Sequence, residues 1–222
     1  MELLAELLAQ DPAAPRLSTY NERTGARLDF SATTLDNWAA KVANMFRDEL
    51  DLDPGDTVVL DLPSTWQAVA IVLGALAAGV NVKSPGELED PSGVAVWFVA
   101  PEHEQIHEES DVVVVSEDPF GRGVTETGGQ LPDGFIDFGP TVRMFGDQFF
   151  EPTPHLRELV PASAWGPAPR VLSTGWNSIE ELFAQVLSPI AAGGSAVVVS
   201  GLVSAQRLAH IGESEKVTHT AS

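Results

Sequence analysis

The stretch "DLDPGDTVVLDLPSTWQAVAIVLGALAAGV", Asp51 to Val80, decides how the chain is read. Asp53-Pro54-Gly55-Asp56 is turn chemistry, since proline presets φ and glycine accepts a positive φ. Thr57 to Leu62 is a β-branched apolar run of strand length, and Pro63 ends it. Ser64 or Thr65 can cap the helix predicted over Trp66 to Ala78, with Gly79 as its stop. A strand that feeds a helix in this way places ligand sites at the strand's C-terminal end. Pro63, Ser64 and Trp66 stand there and are candidate ligand-binding residues.

Upstream, Leu35, Trp38, Val42, Met45, Phe46 and Leu50 fall at helical spacings, and Thr33 or Thr34 can cap that helix. The N-terminus "MELLAELLAQDPAAP" reads as a short amphipathic helix with Leu3, Leu4, Leu7 and Leu8 on one face, and it lacks the positive region of a secretory signal. Downstream, a short strand is expected around Val80 to Lys83, followed by the acidic connector Gly86 to Ser92. Then come strand Val94 to Ala100, a short polar helix from Pro101, and strand Val112 to Val115. Residues 119–134 and 151–169 read as irregular loops, the second rich in proline with one helical turn near His155 to Leu159. "GFIDFGPTVRMFGDQFF" between them has room for one strand and a loop. A last unit holds strand Arg170 to Ser173, a helix Ser178 to Ala192 that Pro189 kinks or ends, strand Ser195 to Ser200 and helix Ser204 to Glu213. Strands alternating with helices in apolar runs predict an α/β fold with a largely parallel sheet covered by helices on both faces, here as a single domain over residues 1–222.

Asp and Glu number 32 against 12 Lys and Arg, a formal charge of −20. Such a surface repels nucleic acid and anionic membranes, and it keeps a chain soluble. No run of ~18 apolar residues is present to span a bilayer. Without cysteine there are no disulfides, thiolate nucleophiles or cysteine-bound zinc, so a cytoplasmic location is expected.

Two segments carry a resemblance. "TTLDNWAAKVANMFRDELDLDPGDTVVLDLPSTWQAVAIVLGALAAGVNV" is similar to the start of an adenylate-forming, AMP-dependent acyl-CoA synthetase. That family opens with a helix, a "pGDrV" turn, a strand, "lPns.ew" and an apolar helix closing in "aGa". The matching parts are Pro54-Gly55-Asp56, Leu62-Pro63-Ser64, Trp66 and Ala78-Gly79. "RVLSTGWNSIEELFAQVLSPIAAGGSAVVVSGLVSAQRLAHIGESEKVTH" resembles the family's later "lsplPlfH" region. Together the two cover Ser31 to Val82 and Arg170 to His219, roughly half the chain. Within the superfamily the chain resembles a short actinobacterial family of unknown function built on the N-terminal portion alone.

The resemblance implies the family's α/β fold, but the residues for its chemistry are missing. The family's triphosphate loop, rich in Ser, Thr and Gly and ending in Pro-Lys, should precede Arg170. Here the chain reads "FFEPTPHLRELVPASAWGPAPR", with one glycine and no lysine. The family's ribose-holding aspartate and its C-terminal catalytic domain have no counterpart in this sequence. "RGVTETGG", Arg122 to Gly129, is similar to the family's "YGxTEtgg", which would carry adenylate and magnesium contacts onto Thr125 and Glu126. It precedes the last βα unit where the family places it after, and Arg122 replaces the tyrosine. A flexible glycine-rich loop accounts better for it.

"LSTGWNS" leaves a strand and enters a helix, a loop that can present backbone N–H groups to an anion. Ser173, Thr174, Gly175 and Trp176 are therefore candidate ligand-binding residues, although Glu180 and Glu181 would repel a phosphate and an ordinary helix cap is the simpler reading. Trp66 and Trp176 can line an apolar pocket or belong to the core. His103, Glu104 and His107 form H-E-x-x-H, the zinc-hydrolase pattern. A short helix polar on all sides suits a solvated acidic turn better than a metal site. No metal, cofactor or catalytic residue is assigned. The expectation is a non-catalytic relative of the acyl-CoA synthetase N-terminal domain that binds a small molecule or a protein partner, with a homodimer as one form. The alternatives are a degenerate adenylate-binding enzyme using Thr125 and Glu126, and a zinc hydrolase on His103 and His107.

Overall fold

A computed structural model describes residues 1–102 and 110–221. Along the chain run α1 (Ala5–Gln10), β1 (Pro15–Asn21), β2 (Ala26–Ser31), α2 (Ala32–Asp48), β3 (Thr57–Asp61), α3 (Trp66–Ala78) and β4 (Asn81–Lys83). There follow β5 (Val94–Val99), β6 (Asp111–Val114), β7 (Ile136–Asp137), α4 (Phe138–Val142), α5 (Leu156–Leu159) and β8 (Arg170–Ser173). The last part holds α6 (Ile179–Leu182), a π-helical turn (Phe183–Leu187), α7 (Ser188–Ala191), β9 (Ser195–Ser200), α8 (Ala205–Ser214) and β10 (His219–Thr220).

The fold is α/β, as the alternation of strands and helices requires, but the strands divide between two five-stranded sheets instead of one. The chain groups into two compact units. The first comprises Met1, Asp36–Pro63 and Gln67–Thr153; the second comprises Glu2–Leu35, Ser64–Trp66 and the chain from Pro154 onward.

The first unit holds the sheet β4-β3-β5-β6-β7, parallel throughout. Val58, Val59, Val96, Phe98, Val99 and Val113 are fully buried in it, which is why these strands read as continuous apolar runs. Phe46 of α2 stacks on Phe98, with ring centroids 5.6 Å apart, and Phe138 meets Phe98 edge-on at 6.4 Å. The helices α2 and α3 meet at Gly74, where a Cβ would lie 2.4 Å from Val42 Cβ. Gly55 takes φ +98° in the predicted turn, and the Asp56 carboxylate accepts the Asp53 amide at 2.7 Å. After β7 the backbone enters α4, where the sequence suggested only a loop.

The second unit holds the sheet β10-β8-β9-β1-β2. Its first four strands are parallel, and β2 closes the edge as an antiparallel hairpin with β1. The hairpin and β10 had no signal in the sequence reading. Ser31, not Thr33 or Thr34, supplies the cap after β2: its Oγ accepts the Thr34 amide at 3.2 Å. Leu3, Leu4 and Leu7 are buried as the amphipathic pattern predicts, with Leu8 half-buried. Pro189 does not end its helix, which continues to Ala191. The π-helical turn ahead of it shifts the bonding register by one residue, where a residue without an N–H is tolerated.

Candidate functional site

Ser173 ends β8, the loop that follows to α6 contains Thr174, Gly175 and Trp176, and Ser64 and Trp66 belong to the same unit. Gly175 adopts φ +110°, a conformation open to glycine. A Cβ there would stand 2.7 Å from Ser64 Oγ. The serine hydroxyl thus fills the space that the glycine leaves, and it accepts the Trp176 amide at 3.0 Å. Ser173 is fully buried; its Oγ accepts the Gly175 amide at 3.1 Å and donates to Gln185 Oε1 at 2.6 Å. Gln185 lies in the π-helical turn, and no sequence signal marked it.

The same pattern continues into the helix. Asn177 N–H donates to Glu181 Oε2 at 2.7 Å, and Glu181 N–H donates to Ser178 Oγ at 3.1 Å. The amides of Gly175, Trp176, Asn177 and Glu181, which an anion would use, are each taken by a side chain. Thr174 is exposed and Trp176 half-buried. Trp66 is 5% exposed with its ring centroid 5.1 Å from that of Phe30, so it is a core side chain of the second unit. Pro63 is exposed at the end of β3 in the first unit.

In the first unit, Arg122 to Gly129 is a built turn, not a loose glycine-rich loop. Asp137, at the end of β7, accepts the amides of Val124 at 3.0 Å and Thr125 at 3.1 Å. It also accepts the Thr125 hydroxyl at 3.0 Å. Gly123 packs so closely that a Cβ would sit 2.5 Å from the Asp137 carboxylate. Arg143 donates to both Glu126 oxygens, at 2.7 and 2.6 Å, while Glu126 also accepts the Gly123 amide at 2.7 Å. Those donors hold the Glu126 carboxyl below its ordinary pKa, Arg143 contributing most. Both residues that the resemblance would give to adenylate therefore complete a turn. Burial would raise the Asp118 pKa, but hydrogen bonds from the Arg122 side chain and nearby amides bring it below the usual range.

The stretch His103 to His107 lies outside the described residues. Among the described residues, no group of three or more His, Asp or Glu side chains is placed to hold a metal ion, and no helix is long and apolar enough to cross a membrane.

No family model matches the sequence. A "TIGR03089 family protein" of Mycobacterium tuberculosis is 35% identical over 217 residues, covering 89% of this chain and 88% of the relative. The chain belongs to the TIGR03089 family. For this member of the family, the similar solved structures are acyl-CoA synthetases and other adenylate-forming enzymes. A Brucella canis acyl-CoA synthetase superposes with a TM-score of 0.74 at 18% identity, covering 93% of this chain and 44% of that one. The acetoacetyl-CoA synthetase of Streptomyces lividans gives 0.66 at 17%, covering 98% and 41%. An anthranilate CoA ligase in complex with anthranoyl-AMP gives 0.63 at 14%, covering 90% and 45%. The likeness is one of fold, and the TIGR03089 chain spans less than half the length of each of these enzymes.

Proposed function

We propose that the chain is a non-catalytic, standalone relative of the acyl-CoA synthetase N-terminal domain that serves as a binding module for a small molecule or a protein partner. One observation carries this reading: the loop amides at Gly175, Trp176 and Asn177 are already satisfied by Ser173, Ser64 and Glu181. A phosphate entering that loop would have to displace three side-chain acceptors, one of them a carboxylate, with no lysine on the loop to offset the cost. The engagement of Thr125 by Asp137 and of Glu126 by Arg143 supports the same reading, because adenylate contacts would compete with those bonds. What the module retains is its scaffold. Its small-molecule candidates in the second unit are Ser64 and residues 173–176.

Saturating Mg-ATP tests the proposal through the thermal midpoint. A ligand at 100 times its Kd adds about 2.7 kcal/mol, on the order of 2–4 °C for a chain of this size. No shift is expected. A shift of that size, lost in Thr125→Ala or in Glu126→Gln, would replace the proposal with a degenerate adenylate-binding enzyme.

A further inference from the structure

The strands at the sheet edges differ in length. Strand β4 has three residues and β7 and β10 have two each, whereas β2 runs for six, Ala26–Ser31. Among the described residues β2 pairs with β1 alone. The bonds around the hairpin fix which way its backbone faces. The Glu22 amide donates to the Ser200 carbonyl, so the even residues of β1 turn their backbone groups toward β9. The Gly25 amide donates to the Asn21 carbonyl, so the odd ones turn toward β2. Leu17, Thr19 and Asn21 stand opposite Phe30, Leu28 and Ala26, which therefore bond to β1. The N–H and C=O groups of Arg27 and Asp29 point the other way, along the outer edge.

The side chains on that edge carry opposite signs. Arg27 and Asp29 lie on one face of the strand, 44% and 36% exposed, and are paired at 2.6 Å. Arg27 Nε also donates to the Tyr20 hydroxyl at 3.0 Å and to Glu215 at 2.9 Å, while Ser18 Oγ donates to Asp29 at 2.7 Å. Both charges are thus held in place over the strand. Leu28, between them, is half-buried and belongs to the opposite face.

We infer that the outer edge of β2 is the interface of a twofold homodimer, in which β2 pairs antiparallel with β2 of a second copy and Leu28 lies on the axis. Charge selects this register. Centred on Arg27, the pairing would set arginine against arginine, and centred on Asp29 it would set aspartate against aspartate; like charges directly opposite are destabilising. Centred on Leu28, it sets the Arg27 of each copy against the Asp29 of the other. Those are also the residues whose outward N–H and C=O groups then exchange hydrogen bonds across the axis. One face of the joined strands carries a ring of four charges alternating in sign, and the other carries a contact between the two Leu28 side chains. The strand is complementary to itself, as an isologous interface must be, and that is what commits the edge to a second copy. This interface goes beyond the proposed binding module and does not depend on what the loop at Gly175 binds.

Sedimentation velocity of the full chain is the test, at protein concentrations from about 1 to 100 µM. The mass should rise from 23.6 kDa toward twice that value. Leu28→Lys and Leu28→Glu should each sediment as a monomer, because like charges then meet on the axis, and mixing the two should restore a dimer. A variant that merely misfolds cannot give that rescue. Because the chain has no cysteine, Leu28→Cys supplies a single thiol on the axis. Opposed residues of this kind stand about 4.5 Å apart at Cα, within disulfide reach. Mild oxidation should link Leu28→Cys into a dimer much faster than Leu202→Cys, a fully exposed position off the axis. A chain that stays monomeric over the whole concentration range overturns the inference. So does a dimer that survives Leu28→Lys, or equal cross-linking of the two cysteine variants, since another face would then hold the copies together.

Discussion

Ser64 and Gly175 stand 111 positions apart, yet one fills the void of the other. Replacing Gly175 with alanine should cost about 2–4 kcal/mol, combining a positive-φ penalty with displacement of Ser64 Oγ. In a Ser64→Gly background the steric part disappears, so the same substitution should cost about 1–2 kcal/mol. Equal costs in the two backgrounds, measured by urea unfolding, would show that the close approach is not felt. The sequence marked both residues as candidates for a ligand site, because a βα loop with glycine is where ligands bind. It could not show that the serine turns its oxygen to the loop, since that depends on a tertiary approach that no local pattern encodes. The same holds for Asp137, which reads as an ordinary acid after a strand but organises the turn from Gly123 to Thr125.

At the scale of elements, Gly74 shows how two helices can be read singly and missed as a pair. Alanine has better helix propensity than glycine by about 1 kcal/mol, so a local argument predicts that Gly74→Ala stabilises. A Cβ 2.4 Å from Val42 Cβ predicts the reverse, because α2 would have to move away from α3, at about 1–3 kcal/mol. The substitution should therefore lower the thermal midpoint, and Val42→Ala introduced with it should recover part of the loss. The long apolar strands and α3 were legible because burial on both sides leaves an uninterrupted hydrophobic run. The β1–β2 hairpin was not, because β1 places Arg16 and Ser18 in buried positions and so hides its apolar pattern. Arg16 Nη1 donates to the carbonyl of Gly193 at 2.6 Å, a partner far away in sequence. Strand β10, at two residues, is too short to leave a pattern of any kind.

At the scale of the second unit, Glu215 joins three strands to the end of α8. It accepts hydrogen bonds from Tyr20 on β1, Arg27 on β2 and Arg170 on β8. Its side chain is 8% exposed, and burial alone would raise its pKa; the donors from Tyr20, Arg27 and Arg170 bring it below the ordinary value of 4.5. A carboxyl lowered on folding stabilises fully above its unfolded value, and that stabilisation fades as the pH falls through the folded value. Glu215→Gln should lower stability by about 2–3 kcal/mol at neutral pH, since it leaves Arg170 without its carboxylate, while Arg27 keeps Asp29. The difference from the unsubstituted chain should shrink once the pH drops below about 4.5. A difference that stays constant through the acid range would mean that the charge of Glu215 is not what matters.

The position of β1 has a consequence for how the chain is made. It lies inside its sheet between β2 and β9, with Leu17 opposite Ala196 and Asn21 opposite Ser200. A ribosome releasing this polypeptide presents β1 well before its parallel neighbour β9, and the strands of the first unit emerge between them. The sheet of the first unit, which runs from β4 through β7, is complete once Asp137 is clear of the exit tunnel. The unit holding β1 must wait, with the apolar faces of the hairpin uncovered and its longest-range pairing postponed until β9 has emerged. The order of synthesis thus leaves the β1–β2 hairpin waiting for a neighbour strand that is made long after it.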